Sequence, residues 1–494
     1  MSSFYVENFG CRATQADGAA IEEQFREKGL TRADHPRSAR YVVLNTCAVT
    51  AYAEQDARAA IRRMRRENPG CEVIVTGCYA QRAPHEVASL PGVSVVIGNS
   101  HKSNLAEIAL RAQVEKGARA TNFVPIGSLT RNLDSFSDSI FVSDIFAHTE
   151  LLAAPVFDSA NERTRPNLKV QDGCNSRCSF CIIPSVRGRS RSLTLDNVLR
   201  QVNQLIGAGY REVVISGINL GRWGRDFPSP VLGDGRSRPS TLEDLVHAIL
   251  DKTKLAKLRI SSVEPMDWSD SFIRLMAESP RIAKHAHIPM QSGSDAVLRR
   301  MHRKYRSWHY REKIEKIRAA MPTAAIGADV MAGFPGETES EFEETRRMVE
   351  ELPFTYLHVF TFSARPGTPA ATMPNQLPVH VARERNRVLR ELAAGKKREF
   401  MQAFIGRRIE AITLNVVSED SDGIWTEALS DNYLKLRLFG SHCANQWLNA
   451  TVSAVEGDVL IGNTVHEHAE SVNQARPIEV GRQLSNELSS RSGK

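Results

Sequence analysis

Three cysteines fall within eight residues, Cys174, Cys178 and Cys181, in the run CNSRCSFC that follows the strand-like LKVQ and Gly173. Such spacing brings three thiolates to one metal centre, because a Gly-containing loop at a strand end lets the chain curl around it. Structural zinc sites normally show paired Cys or His couples, and no second couple follows here. A zinc site lacking its fourth ligand and a coincidental grouping are the competing accounts. Three protein ligands suit a [4Fe–4S] cube, with one iron left free to take a substrate or cosubstrate.

The flanking sequence predicts an α/β chain of several units. FYVENF (4–9), YVVL (41–44), EVIVT (72–76) and VSVVI (93–97) read as strands, and the helical faces between them carry Ile21 and Phe25, then Ala53, Ala57, Ile61 and Met64. That alternation predicts a doubly wound α/β domain over residues 1–112. Residues 113–160 lack periodicity and read as a linker. Over 161–398, six strand-like runs with helical stretches between them predict a (β/α)6 part-barrel, with its chemistry where strands end and loops begin. Short β-runs with turns at SDG and EGD predict a small β-barrel over 399–466, and the polar 467–494 reads as a disordered tail.

No apolar stretch approaches the roughly 18 residues of a membrane helix, and the N-terminus lacks a basic region followed by an apolar core. A cytoplasmic location is therefore expected, where eight cysteines serve as ligands or catalytic groups rather than disulfides. A net charge of +7 hints at a polyanionic partner. Cys11, Cys47 and Cys78 each follow a predicted strand. The carboxyl ends of a doubly wound sheet open into one crevice, so these three distant residues can meet there; buried structural cysteine is the alternative. Cys71 and Cys443 lack such company and read as packing or surface residues.

The triplet with an aromatic, Phe180, before its last cysteine resembles the radical S-adenosylmethionine superfamily. Two triads in this order resemble the methylthiotransferases of that superfamily, from about residue 4 to 465. The resemblance implies a second, auxiliary [4Fe–4S] cluster on Cys11, Cys47 and Cys78, linked to the sulfur delivered. LNTCAVT followed by TGCYAQ looks most like the branch acting on N6-threonylcarbamoyladenosine at tRNA position 37. Isopentenyladenosine enzymes more typically carry Ser-Ile-Arg where this chain has Ala48-Val49-Thr50. The chain departs from the family at Thr14, usually Asn, although the acidic Asp17 is kept.

By the same resemblance, Phe180, Ser216 and Gly217 of SGIN, Ser262 and Glu264 of SSVEP, and Gln291 of HIPMQSGS line the S-adenosylmethionine site. Gly333 and Gly336 belong to a further barrel motif. No single catalytic side chain stands out. The implied reaction is methylthiolation of adenine C2, a carbon with no acidic proton or polar handle for acid–base chemistry. One S-adenosylmethionine methylates the cluster sulfur, and a second yields the radical that removes the C2 hydrogen. The expected partners are a tRNA anticodon stem–loop and a low-potential electron donor. The last unit resembles the RNA-binding TRAM module, with Trp425, Tyr433, Lys435 and Arg437 as candidate contacts, each aromatic being equally a candidate for the core. The basic run VRGRSRS (186–192) is equally a phosphate contact or a solvated face. Rival readings are methylthiolation of isopentenyladenosine or of a ribosomal protein residue, and a non-catalytic iron–sulfur protein that binds RNA or senses redox state.

Overall fold

The structure, a computed structural model, describes residues 2–112, 139–148, 151–152, 165–228, 238–420 and 423–465. Most of the expected linker and the expected tail over 467–494 lie outside these residues.

The first unit is a parallel sheet of β1 (Ser3–Asn8), β2 (Thr31–Arg32), β3 (Tyr41–Thr46), β4 (Glu72–Gly77), β5 (Val93–Ile97) and β6 (Ile140–Phe141), in the order β2-β1-β3-β4-β5-β6. Alternating side chains of β3 go to opposite faces. Val42 and Leu44 pack with Ala57, Ile61 and Met64 of α2 (Ala51–Glu67), while Tyr41 and Val43 pack with Ile21 and Phe25 of α1 (Arg12–Glu27). Both faces are thus covered, which is why these strands are apolar throughout rather than alternating. Each such fully buried aliphatic or aromatic side chain contributes roughly 1.5–3 kcal/mol. Ile140 and Phe141, read from sequence as linker, pair with Val96 and Ile97 and extend the sheet by one edge strand. Two residues are too few to show a strand period.

The second unit begins with β7 (Asn167–Asp172), β8 (Arg191–Ser192), β9 (Glu212–Gly217) and β10 (Lys257–Ile260), in the order β10-β9-β7-β8. It continues with β11 (His285–His287), β12 (Ala325–Ala332) and β13 (Tyr356–Thr361), paired in parallel. Between β10 and β11 the ladder thins to the Leu258–Ile282 bridge, and Val263 N–H donates to His287 O at 3.0 Å. The curved wall is therefore a part-barrel of six parallel strands plus the antiparallel β8. Leu168, Val170, Val213, Ile215, Leu258, Ile260, Ala286, Ile326, Ala328 and Val330 enter the core beneath the helices. By alternation, Lys169, Gln171, Ser216, Arg259, His285, His287, Asp329, Tyr356 and His358 face the concave side.

Helix Val379–Gln402 leads to a closed barrel of β14 (Arg408–Asp420), β15 (Gly423–Ser430), β16 (Lys435–Phe439), β17 (Trp447–Glu456) and β18 (Val459–Thr464), in the order β14-β15-β16-β18-β17. Tyr433, in the turn between β15 and β16, leaves this barrel and enters the base of the part-barrel. Its hydroxyl accepts from Arg12 at 3.1 Å, its ring lies 5.0 Å from that of His285, and the Arg259 guanidinium stands 5.3 Å from its centre. Its turn requires a left-handed φ of 71°.

Candidate functional site: two cysteine triads joined by buried polar contacts

Cys174, Cys178 and Cys181 sit on the loop that leaves β7. Gly173, at φ +69°, starts it; a Cβ there would lie 2.0 Å from the Arg189 carbonyl, so only glycine lets the returning chain cross so closely. Cys174 N–H then donates to Gly188 O at 3.1 Å. The loop is pinned from the far side of the barrel: Ser179 N–H donates to Met301 O at 3.1 Å, and its hydroxyl donates to Arg300 O at 2.7 Å.

Polar groups converge on the sulfurs. Ser176 N–H and Asn219 Nδ2 approach Cys174 Sγ at 3.3 and 3.5 Å, and Arg303 Nη1 approaches Cys178 Sγ at 3.3 Å. Burial pushes the Cys181 thiol up to about 12, against the opposing pull of Ile183 N–H. Burial also raises Cys178, although Arg303 works the other way. Thiols in this setting stay protonated until a metal centre displaces the proton.

The second triad lies at the carboxyl ends of β1, β3 and β4, which are neighbours in the sheet. In this strand order the connection reverses between β1 and β3, the place where doubly wound sheets open a ligand crevice. Cys11 is the N-cap residue of α1, Cys47 follows β3, and Cys78 begins α3 (Cys78–Arg82). Gly10, at φ +100°, brings the first two together: a Cβ on it would lie 2.8 Å from Cys47 Cβ and 3.0 Å from its sulfur. Val49 N–H points to Cys47 Sγ at 3.5 Å, the Thr14 hydroxyl lies 3.6 Å from Cys11 Sγ, and Asn99 Nδ2 lies 3.6 Å from Cys78 Sγ. Burial, then the neighbouring Cys78, raises Cys47 to about 12.

N–H groups aimed at sulfur, from Ser176, Asn219 and Arg303 in one triad and from Val49 and Asn99 in the other, are the kind of hydrogen bond that tunes the potential of an iron–sulfur centre.

The two triads are tied through buried polar contacts. Asn99 donates both toward Cys78 and to Val186 O at 2.7 Å, on the short helix Ile183–Arg187 just after Cys181. Asp17 of α1 accepts from Lys102 at 3.0 Å, from Arg187 at 3.1 Å and from Lys169 of β7; Asp172 accepts from Lys169 and Arg187 at 2.9 Å. All five are buried. Three cations stand against two anions here, and Arg187 among them interacts electrostatically with Cys11, Cys47 and Cys78. Burial alone would raise Asp17, but Lys102, Lys169 and Arg187 hold it near 2.

Of the residues expected to line the cosubstrate, Ser216 and Gly217 close β9 beside Gln171, whose Oε1 accepts from Asn219 N–H at 2.7 Å. Ser216 Oγ and Asn219 Oδ1 are buried without partners, as polar atoms awaiting a ligand would be. Phe180 packs edge-on against Phe334 at 6.5 Å. Glu264 is ion-paired with Arg303, the residue that touches Cys178, so the carboxylate reaches the cluster loop through a cation rather than standing free. Ser262 and Gln291 follow β10 and β11 and hydrogen-bond neither triad; Gln291 takes a left-handed φ of 62° and donates its N–H to Asp329 O at 2.8 Å. Arg303, Asn99 and Lys169 were not foreseen as site residues; Arg187 stood in the basic run VRGRSRS, and the structure corrects that reading, since Arg187 and Arg191 are buried and Arg187 is paired with Asp17 and Asp172 rather than facing solvent or phosphate. Asn219 stood in SGIN, the motif expected beside the cosubstrate, without being singled out.

Of the candidate RNA contacts, Tyr433 is displaced from that reading, since its ring is committed to the base of the part-barrel. Trp425 donates to Asp420 at 2.9 Å, and Arg437 lies 4.9 Å over the Trp425 ring while pairing with the same Asp420 at 2.7 Å. Lys435 is exposed. Lys435, Arg437, His358 and Tyr356 line a cavity of about 530 Å³ between the small barrel and the open edge of β13.

Residues 168–349 match the radical SAM superfamily, and residues 3–98 match a family described as uncharacterized protein family UPF0004. The chain is 34% identical to the threonylcarbamoyladenosine tRNA methylthiotransferase MtaB of Bacillus subtilis, over 89% of this chain and 91% of that one. It is 33% identical to the MtaB of Aquifex aeolicus over 88% and 96%. Against the tRNA-2-methylthio-N(6)-dimethylallyladenosine synthase of Thermobifida fusca it is 31% identical, over 83% and 77%. A radical S-adenosylmethionine methyltransferase from Kitasatospora setae, TsrM, shares the fold at a TM-score of 0.51 and 13% identity, over 75% and 74% of the two chains.

Proposed function

Because the chain belongs to the radical S-adenosylmethionine methylthiotransferases that act on threonylcarbamoyladenosine in tRNA, we infer that it methylthiolates C2 of that nucleoside at position 37 of the anticodon loop. The observation that carries this reading is the joining of the two thiolate triads by Asn99 and by the Asp17–Arg187–Asp172 network.

Cys174, Cys178 and Cys181 would hold the cluster that takes S-adenosylmethionine, and Cys11, Cys47 and Cys78 an auxiliary [4Fe–4S] cluster. When bound, these groups supply a 5′-deoxyadenosyl radical able to take hydrogen from an unactivated carbon, and a sulfur to put in its place. The chain's own contribution is placement. Ser216, Gly217 and Asn219 shape the cosubstrate side, with Ser216 Oγ and Asn219 Oδ1 free to bond it. Arg303 bridges a cluster ligand to Glu264, which keeps lone pairs for ribose hydroxyls. The buried positive network balances the negative charge of thiolate-ligated clusters on either side. A low-potential electron donor and the anticodon stem–loop are the partners this reading requires.

The threonylcarbamoyl reading over the isopentenyl one rests on Ala48-Val49-Thr50. Thr50 is spent on capping α2, accepting from Ala53 N–H at 3.2 Å, while Val49 stands exposed beside Cys47. The test is anaerobic, reconstituted protein with S-adenosylmethionine, a reductant and stem–loops carrying either modification, read by nucleoside mass spectrometry. Methylthio product is expected on the threonylcarbamoyl substrate. Replacing Cys11, Cys47 and Cys78 together should abolish it while sparing 5′-deoxyadenosine release. Product on the isopentenyl stem–loop alone would overturn the substrate assignment.

A further inference from the structure

Three adjacent strands of the part-barrel each place one metal-binding side chain on the concave face: His287 at the end of β11, Asp329 in β12 and His358 in β13. The register explains the convergence. Asp329 pairs directly with His358, and His287 pairs with Gly327, two residues before Asp329 on the same face. Gly327 has no side chain to intrude, and the Tyr356 ring lies where its Cβ would be.

One oxygen, Asp329 Oδ1, stands 3.3 Å from His358 Nδ1 and 3.4 Å from His287 Nε2, and all three ligand atoms lie within 4.8 Å of one another. Ligands about 2.1 Å from a tetrahedral cation are about 3.4 Å apart, whereas octahedral neighbours would be near 3.0 Å. A hydrogen-bonded His–Asp–His relay fits less well. His358 does bond the carboxylate, but His287, nine-tenths buried, has an Nε2 with no hydrogen bond, because its approach to Asp329 falls outside bonding geometry. A buried ring nitrogen that approaches a carboxylate without a hydrogen bond calls for an explanation, and a cation between the two supplies one.

We propose that His287 Nε2, Asp329 Oδ1 and His358 Nδ1 form a binding site for one divalent cation of the zinc class, with a fourth position open toward the concave face. Two imidazoles and a carboxylate with an open position are the donor set of such sites. The site uses none of the six cysteines of the two triads and does not depend on the methylthiolation reading.

The test uses full-length, cluster-loaded protein equilibrated anaerobically with Zn²⁺ and desalted, with zinc and iron counted by mass spectrometry. About one zinc per chain should be retained, and zinc-edge X-ray absorption should show only nitrogen and oxygen ligands, including imidazole. Asp329→Asn and His358→Ala should each weaken zinc retention by at least about tenfold, the loss that removal of an outer partner alone can cause. Their iron content should stay unchanged, which reports an intact fold; His358 is exposed, so its loss leaves no core cavity. No stoichiometric zinc, sulfur in its ligand shell, or retention indifferent to both substitutions would each overturn the proposal. Every readout is metal content or spectroscopy, so a failed methylthiolation assay would leave this result standing.

Discussion

Gly10 has no room for a side chain. Its φ of +100° is a conformation that L side chains rarely adopt, and a methyl group there would press on Cys47 Cβ at 2.8 Å. Gly10→Ala should therefore spread Cys11 from Cys47 and empty the N-terminal triad, lowering iron from about eight to about four atoms per chain. 5′-deoxyadenosine formation should persist; iron analysis with an S-adenosylmethionine cleavage assay checks both. At this scale the sequence was partly readable. Cys174, Cys178 and Cys181 announce themselves because their spacing is local, and Cys11, Cys47 and Cys78 because each follows a strand. Arg303 does not, since it meets Cys178 across 125 residues of chain, and an arginine in a basic stretch looks like any solvated charge. Tyr433 stayed open between RNA contact and core for the complementary reason: an aromatic in a turn carries no sign of which neighbour it will meet.

Elements α1 and β7 belong to different units, yet they are joined by the buried ions Asp17, Lys169 and Lys102, with Asp172 and Arg187 alongside. Removing one partner of a buried ionic group leaves uncompensated charge and costs about 3–5 kcal/mol. Asp17→Asn should lower stability by that amount in anaerobic denaturant titration, and a change under about 1 kcal/mol would contradict the role. The sign of the pH dependence follows from the depressed carboxyl. Asp17 titrates near 2 in the folded chain against an ordinary 3.8, so its contribution is fully present above 3.8 and is lost as pH falls toward 2. The difference between the two proteins should thus be flat from about pH 6 to pH 8. Elements were the best-read level of the sequence, because strands buried on both faces and helices with one apolar stripe leave clear periods. β6 and β8, two residues each, are below any period and owe their existence to the neighbours they pair with.

Across the whole molecule, the small barrel faces the open edge of β13 over a cavity of about 530 Å³, and Lys435 lies on that wall. If RNA passes there, each phosphate contact releases counterions, and log affinity falls with log salt by about 0.7 to 0.9 per contact. Lys435→Ala should weaken stem–loop binding and flatten that slope by about one contact, measured by binding across a salt series. An unchanged slope would place the RNA path elsewhere. Deleting the barrel is a poorer experiment, because Tyr433 would leave with it and Arg12, Arg259 and His285 would lose the ring they share.

That single ring touches all three units at once: Arg12 of α1, Arg259 and His285 of the part-barrel, and through its own turn the small barrel. Lys257 to Glu410 at 2.5 Å and Asn432 to Thr323 O at 2.9 Å run beside it. A side chain held in common couples the opening of its owners, because none can breathe without breaking contacts that belong to the others. In hydrogen-exchange terms, the slowest amides of β7, β10 and β15 should share one opening free energy, and Tyr433→Ala should split them into a fast-exchanging small barrel and a still-protected core.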